Sequence, residues 1–232
     1  MDNRNQSKKA ITPANTASDD GLLIDQLSVL RGMALVISKL SFRQRAGEIC
    51  CLTGPNGAGK STLLRAIAGR LSIAEGSITC SVPLVYVGHN DGLSSAITGR
   101  ENLAGWAKIN GLLATESDID TALAGFAASR FSDLPVRVLS RGQRRRLALA
   151  RLALAPSDSL LLLDEPNAGL DQASNDSLDQ LVRRHADGGG MVLAATHLDF
   201  AAIAKPRSLH LAGITAGMTA GKSSGLTHGG IE

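Results

Sequence analysis

The chain has 232 residues, 44% of them hydrophobic and 19% charged, the proportions of a packed globular protein rather than a disordered one. A formal charge of +3 is too mild to point to nucleic acid, and no apolar run reaches the roughly eighteen residues needed to cross a bilayer, so any work at a membrane needs another chain to supply the span. Cys50, Cys51 and Cys80 form no CxxC and lie in apolar runs, which argues against a zinc site or redox pair and for buried thiols in a reducing compartment.

Residues 1–20 are polar, lack the apolar core of a signal peptide and read as a flexible lead. LLIDQLSVL and ALVISKLSF follow as strands, the second alternating. EICCLT, PLVYVG, SLLLLD, MVLAAT and SLHLAG read as buried strands, several with helical stretches between them. That alternation predicts an α/β fold with a mainly parallel central sheet. Residues 97–128 carry helical periodicity and no convincing strand, as expected of a small helical insert off the sheet. The Gly/Ser/Thr-rich stretch 213–232 reads as a flexible tail.

Between EICCLT and the helix-like STLLRAIAGR lies GPNGAGKST (54–62), which fits the phosphate-binding pattern GxxxxGK[ST]. Gly54, Gly57 and Gly59 let the backbone curl until successive N–H groups face phosphate oxygens, and the helix that follows adds partial positive charge at its start. Lys60 is expected to reach the β- and γ-phosphates and Ser61 to ligate Mg²⁺. In SLLLLDEP, four leucines build a buried strand that delivers Asp164 to the carboxyl edge of the sheet, where open α/β sheets bind ligands. Asp164 is expected to hold Mg²⁺ and Glu165 to orient or polarise the attacking water. His197, after the run MVLAAT, is expected on the same edge, near the γ-phosphate. In LSRGQRRRLALARLAL, Ser140 is placed to cap a helix, and its hydroxyl and the Gly142 backbone suit a phosphate. Whether this helix meets the loop of its own chain or of a second copy stays open at this point.

The order of these motifs resembles the ATP-binding cassette (ABC) ATPases. GPNGAGKST matches their Walker A loop, LSRGQ their signature, LLLLDEP their Walker B strand, NAGLD their D-loop and His197 their switch histidine. The resemblance covers about residues 21–212 and implies a P-loop fold with an N-terminal antiparallel β portion and a helical subdomain over about 92–145. It further implies ATP with Mg²⁺, held by Gly54, Pro55, Asn56, Gly57, Ala58, Gly59, Lys60, Ser61 and Thr62. Two cassettes are expected to pair head to tail, with Ser140, Gly142 and Gln143 of one closing on the ATP of the other and Asp171 communicating between the sites. Three departures stand out. Arg141 replaces the commoner glycine of the signature. His89, or its neighbour Asn90, stands where the family places a glutamine touching Mg²⁺. No aromatic precedes the loop to stack on adenine, and only Arg31 offers a flat group there.

The short single cassette, the Gly-His of VGHNDGL and the compact end with ATHLDF resemble, within those ATPases, the CcmA family of cytochrome c maturation. That resemblance implies a peripheral subunit on the cytoplasmic face of the bacterial inner membrane. It would work with an integral CcmB-like subunit and CcmC- and CcmD-like proteins, in haem export or release of a haem-loaded chaperone. The apolar part of 92–128, including Leu93, Leu103 and Trp106, is the expected docking surface, with packing onto the insert's own core an equal reading for Trp106. A soluble ABC ATPase acting on nucleic acid or ribosomes is the alternative, resting on Arg144, Arg145 and Arg146, which otherwise read as exposed turns of the signature helix.

Overall fold

The computed structural model of the chain describes residues 20–196 and 206–212; His197, the lead and the tail lie outside them. β1 (Asp20–Arg31) and β2 (Ala34–Arg45) form a long antiparallel hairpin turned at Gly32, whose φ of 61° suits glycine. The hairpin is bulged: Gln26 and Lys39 take positive φ, and the register slips between Ile24 and Leu27. β3 (Ile49–Thr53) then runs into the glycine loop, and α1 (Lys60–Ile67) leaves it.

β4 (Glu75–Cys80) is a strand that hydropathy did not predict. It joins the other edge of β1, giving a three-stranded antiparallel sheet in the order β2-β1-β4. Only Ile78 and Cys80 of its EGSITC are buried, so its local signal is weak and its partner lies about fifty residues upstream.

β5 (Leu84–Val87), β6 (Leu160–Asp164), β7 (Met191–Ala195) and β8 (Arg207–His210) join β3 in a second sheet, ordered β5-β6-β7-β3-β8, with every pair parallel. The two-residue period sorts each strand between two cores. Leu160, Leu162, Leu193, Cys50 and Leu52 face α1 and the antiparallel sheet. Leu161, Leu163, Val192, Cys51, Val85 and Val87 face the remaining helices. β8 differs from its expected burial: as the edge strand it leaves Arg207, Ser208 and His210 exposed.

Helices alone occupy the insert, as its periodicity predicts. α2 (Gly99–Ile109) and α3 (Glu116–Gly125) each open on a full capping box, Thr98 with Glu101 and Thr115 with Asp118. Arg100, in the first turn of α2, pairs with Asp120 of α3 at 2.7 Å and with Asp133, beyond α3, at 3.1 Å. Leu103, Ile119, Ala122 and Leu123 bury into the core that also covers one sheet face. Of the expected docking residues Leu103 cannot serve, and Trp106 takes the alternative reading, packing onto the insert's own core. Leu103 is fully buried, and Leu93 and Trp106 pack half-buried against that core. The most exposed large apolar side chains here are Ile109 and Leu113, 87% and 100% exposed, with Ile97 less so. α4 (Arg141–Ala150) and α5 (Gln172–Asp187) complete the layer.

All three cysteines are buried, and no disulfide joins them. Burial pushes the Cys50 thiol from 9.0 up to about 12, against the opposing pull of the Arg207 charge. The neutral thiol is thus favoured by folding. Its contribution to stability is full below pH 9 and is lost as pH rises from about 9 to about 12. Native protein is expected to resist thiol alkylation at pH 8 until denatured, whereas rapid labelling of all three thiols in the native state would contradict this burial.

Candidate functional site

The carboxyl ends of the parallel strands converge on one edge, which carries Gly54 after β3, Gly88 and His89 after β5, Glu165 after β6 and Thr196 after β7. In the glycine loop, φ is 132° at Gly54, 81° at Gly57 and 101° at Gly59, values that L side chains avoid. Space forbids a side chain as well. A Cβ on Gly54 would lie 2.2 Å from the Leu211 carbonyl oxygen, and one on Gly59 would lie 2.9 Å from Val36. At Gly57 nothing lies within 4 Å, so that turn of the loop opens outward. Pro55 and Asn56 are exposed beside it, while Ala58 and Thr62 are buried beneath.

Gly59 caps α1 without a side-chain bond, leaving the first amides of the helix directed at the loop. Lys60 is buried, and its Nζ donates to the Gly54 and Pro55 carbonyls at 2.7 and 3.1 Å, spanning the loop from within. Ser61 Oγ donates to Asp164 Oδ1 at 2.8 Å. Asp164 is 1% exposed, and its Oδ2 is buried without a hydrogen-bond partner. A buried carboxyl oxygen left so, beside a serine hydroxyl at a phosphate-type loop, fits a hard cation with oxygen ligands.

Glu165 turns the chain away from β6 with a φ of 49°, a left-handed conformation that costs a non-glycine residue about 1–2 kcal/mol. Its N–H donates to the Ala195 carbonyl at 2.8 Å. Its carboxylate is half-exposed, and His89 Nδ1 approaches it at 3.7 Å. His89 or Asn90 is the residue expected near Mg²⁺, and the structure brings the His89 ring to the carboxylate of Glu165, the residue after Asp164. Asn90 is exposed beside it.

Ser140 caps α4 through a complete box: its hydroxyl accepts the Gln143 N–H at 3.2 Å and its own N–H donates to Gln143 Oε1 at 2.9 Å. Ser140 nevertheless stays exposed at the helix start. A Cβ on Gly142 would sit 3.3 Å from the Gly169 carbonyl oxygen, so the signature turn and the NAGLD loop touch within one chain. Asp171 caps α5, accepting the Ser174 N–H at 2.9 Å, and hydrogen bonds from Ser174 hold its carboxyl below the usual range. Arg31 is exposed at the tip of the hairpin whose Val36 borders the loop.

The basic cluster is not what it seemed. Arg145 is 3% exposed, and its guanidinium lies among backbone carbonyls at the end of β6. Arg146 stacks on Phe131 at 5.4 Å. No three-arginine surface for a phosphate backbone exists here, and the reading that rested on it loses its footing. Arg145 is also the site residue that motif matching missed. A signal was present, since it lies four residues before Leu149, on the buried face of α4.

The ABC transporter family model matches residues 37–168. The chain is similar to the cytochrome c biogenesis ATP-binding export protein CcmA of Rhodospirillum rubrum, with 43% identity over 75% of this chain and 79% of the relative. The protein of that name from Rhodobacter capsulatus is 41% identical over 82% and 87%. Among solved structures, the ATP-binding subunit of an ABC transporter aligns with a TM-score of 0.67 at 24% identity, over 76% of this chain and 80% of that one. A dimeric ATP-binding cassette in a post-hydrolysis state with ADP and phosphate aligns with a TM-score of 0.68 at 22% identity, over 76% and 88%. At those identities the structures speak for the fold alone.

Proposed function

The chain belongs to the ABC transporter family, and we propose that it is the ATP-hydrolysing subunit of a membrane complex serving haem export or haem-chaperone release in cytochrome c biogenesis. The observation that carries the chemistry is the pairing of Ser61 with a buried Asp164 that keeps one oxygen unpartnered, at the mouth of a loop threaded by Lys60. Lys60 would exchange the loop carbonyls for β- and γ-phosphate oxygens, and the amides of Gly57 to Thr62 would surround the polyphosphate. Ser61 and Asp164 would hold Mg²⁺, which when bound neutralises charge developing between the β- and γ-phosphates. Glu165 would take the proton of the attacking water, with His89 beside it, and His197 would orient that water.

The exposed Ser140 and the turn at Gly142 would complete the site on the partner cassette of a head-to-tail homodimer, with Gln143 holding their geometry and Asp171 near the shared boundary. Arg31 would stack on adenine. The partner in the membrane would be an integral CcmB-like subunit with CcmC- and CcmD-like proteins, placing the chain on the cytoplasmic face of the inner membrane. No helix among the described residues is long and apolar enough to cross a membrane, which agrees with a peripheral subunit. Ile109 and Leu113 are the apolar groups the insert offers to that partner.

Affinity isolation of the full-length chain from detergent-solubilised membranes tests the assembly. Co-isolation of an integral membrane subunit and a haem-carrying protein is the expected result. Co-sedimentation with ribosomes, without any membrane subunit, would overturn it.

A further inference from the structure

Taking a guanidinium out of water costs several kcal/mol, so a buried arginine demands a reason in its surroundings. Arg145 has five N–H donors, and five acceptors meet them. Nε donates to the Pro166 carbonyl at 3.1 Å. Nη2 donates to the Glu165 carbonyl at 2.7 Å and the Asp164 carbonyl at 3.4 Å. Nη1 donates to the Gly88 carbonyl at 2.9 Å and to Asp91 Oδ1 at 3.3 Å.

Two segments are thereby fixed to one group. The first is the turn 164–166, where β6 ends and three successive carbonyls accept from one guanidinium. The Glu165 carbonyl also accepts the Ala168 N–H at 3.2 Å, so Arg145 adds a second, charged donor there and binds the carbonyls on either side. The second is the loop 88–91, which carries His89. Arg151, buried on the same stretch of chain, donates to the Asp91 carbonyl and holds that loop from behind. The left-handed turn at Glu165 persists only while its surroundings dictate it, and its carbonyl receives the shortest of the five bonds.

We infer that Arg145 is a positioning residue that locks the Glu165 turn and the His89 loop to the signature helix as one unit, setting the aim of the Glu165 carboxylate. The inference rests on the reading of Glu165 as the group that activates water. It has a mechanical consequence. Ser140 lies little more than one helical turn before Arg145, so any displacement of the helix start on meeting a partner's nucleotide is delivered to Glu165 and His89 of the same chain.

Lysine keeps the charge at this position but not the planar fork, and cannot span carbonyls of two segments at once. In full-length Arg145→Lys, kcat is expected to fall at least tenfold, with KM and the affinity for a fluorescent ATP analogue within threefold of wild type. Arg145→Met should fall further. Asp91→Ala removes one acceptor at the less buried end of the network. It should lower kcat about threefold in the wild-type background and change nothing further in Arg145→Lys, because both act through one contact. Wild-type kcat in Arg145→Lys would overturn the inference while leaving the ATPase reading intact. So would parallel loss of kcat, nucleotide affinity and cooperative melting in Arg145→Lys together with wild-type kcat in Asp91→Ala, which would assign Arg145 to folding alone. A wild-type protein that hydrolyses no ATP, even with its membrane subunit, would defeat the ATPase reading and this inference with it.

Discussion

Lys60→Ala is expected to lower ATP turnover by about a hundredfold or more and to abolish the thermal shift that MgATP gives the wild type. The side chain is buried inside the loop it serves, with Nζ bonded to two of the loop's own carbonyls. Those bonds hold the ammonium at the mouth before any nucleotide arrives, so little rotamer entropy remains to be lost on binding. Hydrogen bonds to charged groups contribute about 1.5–3 kcal/mol each, and Lys60 would make at least two to phosphate oxygens. Losing them corresponds to two or more decades in affinity or rate at about 1.4 kcal/mol per decade. Alanine also leaves the Gly54 and Pro55 carbonyls short of a donor, but Pro55 and Gly57 border solvent, and water can replace it there. Global stability without nucleotide should therefore change far less than turnover. Wild-type turnover in Lys60→Ala would remove the phosphate-loop assignment.

What could be read in advance, and what could not, follows from the range of the interactions involved. The glycine loop, the Asp164–Glu165 pair and the four-leucine strand were legible because each is written in consecutive residues whose chemistry is local. The parallel strands were legible because both neighbours of β6 and β7 are strands, which leaves a run of apolar residues with no polar face. β8 and β4 broke that logic in different ways. β8 has a neighbour on one side only, so an apolar-looking run became an exposed edge. β4 pairs with a strand far upstream, and its own residues carry only a faint alternation. The approach of His89 to Glu165 joins the ends of two strands far apart in sequence, and no local pattern announces it. Arg145 escaped because three arginines in a row read as solvated helix, and its burial depends on carbonyls about twenty residues ahead and a loop more than fifty residues behind. Gln143 shows the reverse case: its value as the second half of a capping box is local and follows from its spacing to Ser140.

Glu165→Gln should separate binding from chemistry in this chain. The amide matches the carboxylate in size, and the backbone contacts that position the residue do not use its acidity. The Ala195 carbonyl takes its N–H, and Arg145 holds its carbonyl. The turn with a φ of 49° should survive the exchange. On the proposed role of Glu165, the exchange would remove the proton acceptor for the attacking water and one negative charge facing the phosphates. Removing a general base costs about 10²–10⁴ in rate, and the loss of like-charge repulsion leaves ATP affinity equal or higher. A cassette that binds ATP but cannot cleave it retains every contact that favours closure, so the closed population should accumulate. Light scattering of the variant at saturating MgATP is expected to report a dimer where wild type, once its ATP is spent, returns to monomer. Glu165→Asp should not reproduce the trap, since it keeps a base, though one held a carbon short of its place. A Glu165→Gln protein that hydrolyses ATP within tenfold of wild type would transfer the base to His89 or to another residue of the edge. One that stays monomeric at saturating MgATP, alone and with its membrane subunit, would mean that Ser140 and Gly142 do not close on a second copy.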